Sequence, residues 1–139
     1  MNIAKVVATR STCIKRHVGC VITIDREVIS TGYNGAIKGL PHCIEKYKTC
    51  PRNDVGAHRG ERYDLCPALH AEQNAIIQAA KTSKSINNGV AYITIAPCIT
   101  CARMLINAGI HKIVMGDNPS DEVKKLLKRA KVKYSILEE

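Results

Sequence analysis

The sequence predicts an α/β fold in which helices cover both faces of a mixed β-sheet. One observation behind this prediction is a pair of β-branched runs near the start of the chain, separated by a two-residue turn signal. The other is the regular alternation of helical and strand patterns after residue 68. The 139 residues suit one compact domain over 1–139, with an aliphatic core because the chain contains no Phe or Trp.

The first half of the chain predicts a helix followed by a hairpin. Apolar residues recur at helical spacing over residues 2–12, which predicts the helix. Val18 to Ile24 and Arg26 to Tyr33 are β-branched runs. Asp25-Arg26 suits a tight turn between them, so the two runs are expected to pair as antiparallel strands.

Helices and strands alternate in the second half of the chain. Helices are predicted over 71–81, over 99–108 and from a Ser120 cap onward, and strands over 90–96, 112–115 and 132–137. A helix lies between each strand and the next, which places helices on the sheet.

The segment 35–68 between these halves predicts an insertion. It is rich in Gly, Pro, charged residues and cysteine, and it shows no clear hydrophobic period. A structureless loop of this length is uncommon in a compact domain and needs a specific reason.

The charge balance favours an anion-binding protein, and the start of the chain predicts a cytoplasmic location. The net charge of +9 attracts polyanions, either nucleic acid or nucleotide phosphates. Residues 1–10 contain no apolar block, so we expect no signal peptide and a cytoplasmic location. The longest uncharged stretch, 85–102, is interrupted by Asn, Gly and Pro, so no membrane span is expected.

Two short motifs carry the strongest chemical signal. They are His70-Ala71-Glu72 and Pro97-Cys98-Ile99-Thr100-Cys101. Clustered cysteines in a reducing compartment are typical of metal or catalytic sites. Cys98 and Cys101 share one face at a helix start, where thiolate is stabilised. With the His70 imidazole they form a three-ligand zinc site that leaves a fourth position for water.

Glu72 is the candidate acid–base residue. It stands two positions from His70, and such residues do not share a face within a regular helix. The pair must therefore lie at the very first turn, where the entering residue can aim differently. The combined pattern H-x-E…P-C-x-x-C is typical of zinc-dependent base deaminases, in which the glutamate is the proton shuttle.

The chain resembles the deoxycytidylate (dCMP) deaminases over nearly its whole length. The resemblance is carried by Arg10-Ser-Thr-Cys13, Val18-Gly19, Thr31-Gly-Tyr-Asn-Gly35, Gly39-Leu-Pro-His-Cys43, Gly60-Glu-Arg62, Leu69-His-Ala-Glu-Gln-Asn-Ala-Ile76, Pro97 to Cys101 and Ile106-Asn-Ala-Gly-Ile110. It implies a cytidine deaminase-like three-layer α-β-α sandwich, with a five-stranded mixed sheet whose last two strands are parallel. It also implies conversion of dCMP to dUMP and ammonia, which supplies thymidylate synthesis.

Further expectations about assembly and ligands follow from the same resemblance. It implies a homohexamer with dCTP and dTTP as effectors and with Mg²⁺ accompanying the effector nucleotide. The loop 116–120 departs from the family pattern, which leaves dCTP as a further candidate substrate, instead of dCMP or beside it. The resemblance also implies a structural zinc held by Cys13, Cys43, Cys66 and Cys50, with His58 competing for the place of Cys50. The alternative for these four cysteines is free buried thiols. Cys20 is predicted to be a small core residue.

The resemblance also assigns substrate contacts. It implies that Asn34 binds the sugar and that the backbone N–H of Ala71 binds the base carbonyl. Alternatively, Asn34 is a turn residue without a ligand, because Asn tolerates left-handed backbone. Arg16 is the preferred phosphate ligand among Arg10, Lys15, Arg16 and His17. The loop 116–120 lacks the tyrosine that many relatives pack against the cytosine ring.

Two other functions compete with nucleotide deamination. A tRNA or other polynucleotide deaminase shares both motifs and suits the positive charge. The cysteine-rich insertion and the segment 39–43 argue against it, as does a shortage of aromatic residues for stacking an extruded base. A non-catalytic, zinc-stabilised nucleic-acid-binding module is the third reading, and in it Glu72 would be dispensable.

Overall fold

The computed structural model describes residues 1–137 and contains two sheets. The strands are β1 Gly19–Ile24, β2 Glu27–Tyr33, β3 Gly35–Ala36, β4 Ala68–Leu69, β5 Val90–Ile93, β6 Lys112–Met115 and β7 Lys133–Ile136. The helices are α1 Asn2–Ala8, α2 Cys43–Lys46, α3 Pro51–Asp54, α4 Ala71–Lys81, α5 Ile99–Asn107 and α6 Asp121–Arg129, with a 3-10 helix over Tyr63–Leu65.

The larger sheet has five strands in the order β2-β1-β5-β6-β7. β1 pairs antiparallel with β2 and β5, whereas β5–β6 and β6–β7 are parallel. The predicted five-stranded mixed sheet with parallel last strands is therefore confirmed. The turn between β1 and β2 is also as predicted, because Asp25 and Arg26 both have positive φ, 50° and 70°, as tight hairpin turns require.

Two glycines show how helices reach both faces of this sheet. A Cβ on Gly19 would lie 2.0 Å from the carbonyl oxygen of Ala4 in α1. A Cβ on Gly32 would lie 2.2 Å from the carbonyl oxygen of Ala71 in α4. Gly32 pairs with Cys20, the neighbour of Gly19, so the two glycines point to opposite faces. Helices α1 and α4 thus pack closely on opposite sides of β1 and β2.

Helix α1 differs from its prediction in its length and in the residues that it buries. The helix ends at Ala8 rather than at residue 12, and Ala4 and Ala8 are its buried residues. The larger Ile3 and Val6 are 55% and 68% exposed. Small side chains face the sheet because the backbone of α1 lies directly against Gly19, where larger side chains would not fit.

The core lies where the central strands meet α4, α5 and α6, and it is aliphatic as predicted. Its largest fully buried members include Ile22, Ile93, Leu105, Ile113 and Leu127. Within residues 1–137 no helix combines the length and apolar character that crossing a membrane requires.

The insertion is more ordered than a structureless loop. Strands β3 and β4 pair antiparallel and join its two ends, with Gly35 opposite Leu69 and Ala36 opposite Ala68. Between them lie α2, α3 and the 3-10 helix. These elements are too short to show a hydrophobic period, which is why the sequence pattern did not reveal them.

Candidate active site

His70 and Glu72 occupy the start of α4. His70 is the N-cap with extended backbone, φ −74° and ψ 158°, and the helix begins at Ala71. The Gln73 side chain accepts a hydrogen bond from the His70 N–H at 2.8 Å and fixes this start. His70 and Glu72 therefore meet the geometric requirement derived from their spacing, because the imidazole leaves the chain before helical geometry begins.

Cys98 and Cys101 occupy the start of α5. Cys98 is the N-cap, and its sulfur accepts a hydrogen bond from the Cys101 N–H at 3.4 Å. The preceding loop is held by Asp117, whose carboxylate accepts a hydrogen bond from the Ala96 N–H. Both sulfurs thus lie where free N–H groups and the helix dipole favour negative charge.

The two helix starts bring three ligand atoms together. The His70 Nδ1 lies 3.6 Å from the Cys98 sulfur and 3.4 Å from the Cys101 sulfur. All three ligand atoms fall within 4.8 Å of one another. Tetrahedral zinc with Zn–N and Zn–S bonds of about 2.0–2.3 Å separates its ligand atoms by about 3.5 Å. The donor set and its spacing therefore fit a zinc ion.

The sulfurs differ in their affinity for protons. Hydrogen bonds from Cys101 and contact with His70 lower the pKa of the Cys98 thiol to about 4. The pKa of Cys101 is raised, because its proton is shared with Cys98 and its side chain is buried. The hydrogen bond with Cys98 likewise raises the pKa of His70. A thiolate is thus available at Cys98 for a cation.

Glu72 is a buried carboxyl beside this cluster. It is 4% exposed, and burial raises its pKa above the ordinary range. A raised pKa suits a group that must accept and return a proton near neutral pH. Cys20 lies in the core at 0% exposure, as predicted, and burial raises its thiol pKa far above normal.

A cleft opens at the cluster and contains the three predicted substrate contacts. Asn34, Ala71 and Arg16 line it together with His70, Glu72 and Cys98. The side chain of Arg16 is exposed, as a phosphate ligand at a cleft mouth must be. The structure therefore places these candidates beside the ligand cluster.

Asn34 also has a structural task. Its Oδ1 accepts a hydrogen bond from the Val18 N–H, and its Nδ2 donates one to the Arg16 carbonyl, both at 2.8 Å. Its backbone is not left-handed, but these two hydrogen bonds agree with the alternative that Asn34 is a structural residue of the turn. The side chain holds the loop before β1 and keeps one N–H for another acceptor.

Several cleft residues escaped the sequence analysis. Arg52, Arg59 and Tyr63, all from the insertion, line the cleft. Arg59 donates hydrogen bonds to Asp117 at 3.1 Å and to the Ala96 carbonyl at 2.9 Å, which ties the insertion to the loop before Cys98. The segment's lack of period hid these residues, and Pro51 at a helix start was the available signal for α3.

The four insertion-related cysteines are close but less tightly grouped. Burial raises the pKa of Cys43, and the nearby thiols of Cys13, Cys66 and Cys50 raise it further. Within residues 1–137, however, His70, Cys98 and Cys101 form the group whose three ligand atoms fall within 4.8 Å. His58 is exposed, and its backbone N–H donates a hydrogen bond to the Glu61 carboxylate.

Comparison with known proteins relates the chain to deaminases. Residues 1–117 match the family described as the cytidine and deoxycytidylate deaminase zinc-binding region. The chain is 40% identical over 114 residues to a deoxycytidylate deaminase of Schizosaccharomyces pombe, a match that covers 82% of this chain and 34% of that protein. It is 35% identical over 119 residues to the deoxycytidylate deaminase of Mycobacterium phage D29, covering 82% and 88%.

A solved structure shows the same fold. The dCMP deaminase of cyanophage S-TIM5, crystallised in complex with dCMP and dUMP, superposes with a TM-score of 0.76 at 24% identity. The superposition covers 98% of this chain and 92% of that one. By contrast, the chain spans about a third of the length of the fission-yeast relative.

Proposed function

Because the chain belongs to the cytidine and deoxycytidylate deaminase family, we propose that it hydrolyses dCMP to dUMP and ammonia. The observation that carries this proposal is the convergence of His70, Cys98 and Cys101 within 4.8 Å beside a buried Glu72. Three ligands with a free carboxyl are typical of a catalytic zinc site, whereas a structural site takes four protein ligands.

The chemistry divides between the metal and the protein. His70, Cys98 and Cys101 would hold the zinc ion, which would supply a Lewis acid and lower the pKa of water toward neutrality. Glu72 accepts a proton from water and delivers it to the ring nitrogen of cytosine, as the hydroxide adds to the amine-bearing carbon. It then takes the proton of the added hydroxyl group and gives it to the amine, so that the C–N bond breaks, the carbonyl forms and ammonia leaves. Burial of Glu72 supports this role, because a raised pKa lets one carboxyl both take and return the proton.

The cleft residues are assigned to the nucleotide. Asn34 binds the sugar through its remaining N–H, the Ala71 N–H binds the base carbonyl, and Arg16 binds the phosphate. Their common position on the cleft supports this assignment. Free N–H groups at the first turn of α4 further support the role of Ala71.

The proposal includes a second zinc, with a structural role. Cys13, Cys43, Cys66 and Cys50 would bind it, and His58 is the competitor for the place of Cys50. The grouping is supported by the other three thiols, which lie near enough to Cys43 to raise its pKa in addition to burial. Four thiolates would close a tetrahedral site and give the short elements of the insertion a common anchor.

The remaining proposals concern the cellular setting. We assign the protein to the cytoplasm, where dUMP would feed thymidylate synthesis. We further propose a homohexamer with dCTP and dTTP as effectors, Mg²⁺ accompanying the effector nucleotide, and dCTP as a second substrate. The relationship to deoxycytidylate deaminases supports a nucleotide ligand over a polynucleotide.

The test is ammonia release from zinc-loaded protein offered dCMP, dCTP, deoxycytidine and tRNA in parallel, with and without dTTP. We expect turnover of dCMP, and the ratio of dCMP to dCTP turnover would give the substrate preference. Turnover of tRNA alone would replace the proposal with the polynucleotide deaminase. Failure on all four substrates, combined with salt-dependent binding of nucleic acid, would favour the binding module.

A further inference from the structure

A stack of three side chains reaches from the insertion to the ligand cluster. The guanidinium carbon of Arg52 lies 4.4 Å from the ring centroid of Tyr63. The Tyr63 ring meets the His70 imidazole nearly at a right angle, 81°, with 4.5 Å between centroids. An edge contact of this kind is specific for ring orientation.

Arg52 is held firmly at the far end of the stack. It is 8% exposed, and its Nε donates to the Glu61 carbonyl while Nη2 donates to the His58 carbonyl, both at 2.7 Å. Two bonds at fixed angles keep the planar guanidinium in one orientation. The face presented to Tyr63 is therefore fixed by the backbone of the insertion.

His70 is held differently at the near end. Its ring contacts both sulfurs through Nδ1, and within residues 1–137 no hydrogen bond reaches Nε2. Metal-binding histidines usually donate their second ring N–H to a partner that fixes the ring. In this chain the ring of Tyr63 packs edge-on against the imidazole.

We propose that Arg52 and Tyr63 are positioning residues that hold the His70 imidazole toward the two sulfurs. The inference rests on the proposed zinc-binding role of His70. Both residues lie next to cysteines of the insertion: Cys50 is the N-cap residue of α3, which carries Arg52, and Cys66 follows the 3-10 helix that begins at Tyr63. The insertion thereby acts on the active site through a ring contact.

The test compares variants that keep or remove the ring. Tyr63→Phe retains the edge contact and should bind zinc within about twofold of wild type. Tyr63→Leu removes the contact and should weaken zinc binding by about 10- to 100-fold, the range for loss of a residue that orients a ligand. Zinc affinity is measured by chelator competition, with Cys98→Ser reporting zinc bound elsewhere.

Two further measurements separate positioning from general stability. The visible spectrum of the cobalt-loaded protein should change in Tyr63→Leu and match wild type in Tyr63→Phe. Tyr47→Leu is the matched control, because Tyr47 is a partly buried insertion tyrosine that lies outside the cleft lining. It should leave both zinc affinity and the cobalt spectrum unchanged.

Arg52→Met gives a second, milder test in case Tyr63→Leu does not fold. It leaves the Tyr63 ring but removes its support, so zinc affinity should fall several-fold. The exposed Arg62, changed to Met, is the control and should show no loss. Wild-type zinc affinity in both folded Tyr63→Leu and Arg52→Met would overturn the inference. Equal losses in Tyr63→Phe and Tyr63→Leu would also overturn it, because the ring would then not be responsible.

These readouts separate the inference from the proposed function. A wild-type chain that binds zinc but deaminates no nucleotide would refute the function while leaving the binding comparison valid. Conversely, full dCMP turnover with unchanged zinc affinity in Tyr63→Leu would refute the positioning role alone.

Discussion

The three catalytic zinc ligands and the four cysteines proposed for a structural zinc offer similar metal-binding groups in different structural settings. His70, Cys98 and Cys101 leave the starts of two regular helices, and their ligand atoms converge within 4.8 Å. Cys13, Cys43, Cys50 and Cys66 lie on loops and very short elements, and among residues 1–137 they form no comparable three-ligand group. Helices packed on the sheet therefore preorganise the first group, whereas loops and elements of three or four residues carry the second.

The largest expected effect is the loss of turnover on replacing Glu72, the residue that distinguishes a catalytic from a structural metal site. Glu72→Gln keeps the shape but removes the proton acceptor, so kcat should fall by about 10³-fold while zinc stays bound. Steady-state ammonia release and metal content measure the two properties. The exposed Glu122→Gln on α6 is the control and should retain full activity. Near wild-type turnover in Glu72→Gln would contradict the proposed mechanism.

Cysteine replacements test the difference between the two groups directly. Cys98→Ser should lose the catalytic zinc and at least about 10²-fold in activity while the fold persists, because the helices do not need the metal. Cys43→Ser should retain that zinc, lose the other and unfold at a temperature lower by about 4–8 °C. Metal content and thermal unfolding give both readouts. Cys20→Ser is the control and should retain both metals. Equal metal loss in Cys98→Ser and Cys43→Ser would contradict the proposed difference between the two groups of ligands.

A smaller effect is expected from the packing that places α4. A methyl group on Gly32 would meet backbone atoms of Ala71 and Ala75 at 2.2 and 2.3 Å, so the start of α4 must shift. Gly32→Ala should lower the free energy of unfolding by about 1–3 kcal/mol and also reduce kcat. Denaturant unfolding and turnover measure the two effects.

Gly35 offers the matched control in the insertion. A Cβ there meets the Thr12 hydroxyl at 3.4 Å, an ordinary contact. Gly35→Ala should change stability by less than about 0.5 kcal/mol. Equal costs at Gly32 and Gly35 would show that close packing of α4 on β2 does not position the site.

The smallest effect on stability is expected where Arg59 links the insertion to the loop before Cys98. Arg59→Met removes the bonds from the insertion to Asp117 and to the Ala96 carbonyl. Both charged side chains are about two-fifths exposed, so the loss should be about 0.5–1 kcal/mol. Arg62→Met breaks an exposed pair with Asp64 and should have no measurable effect on unfolding. A larger cost for Arg62→Met than for Arg59→Met would contradict this ranking.

The sequence predicted the sheet and the ligand cluster because both depend on local patterns. Helix geometry indicated that Cys98 and Cys101 share a face and that His70 lies at a helix start, whereas the meeting of these two segments was predicted from the known deaminase pattern. The buried face of α1 could not be predicted because it is decided by contact with Gly19, which lies outside the helix. Elements of three or four residues carry no period, so the stack of Arg52, Tyr63 and His70 could not be predicted.

An anomalous difference map at the zinc edge, from crystals of the zinc-loaded chain, would test the central claim most directly. The proposed centre predicts a peak within bonding distance of the His70 Nδ1 and the sulfurs of Cys98 and Cys101. The proposed structural zinc predicts a second peak among Cys13, Cys43, Cys50 and Cys66. A zinc-loaded chain with no peak at the three ligand atoms would contradict the proposed active site.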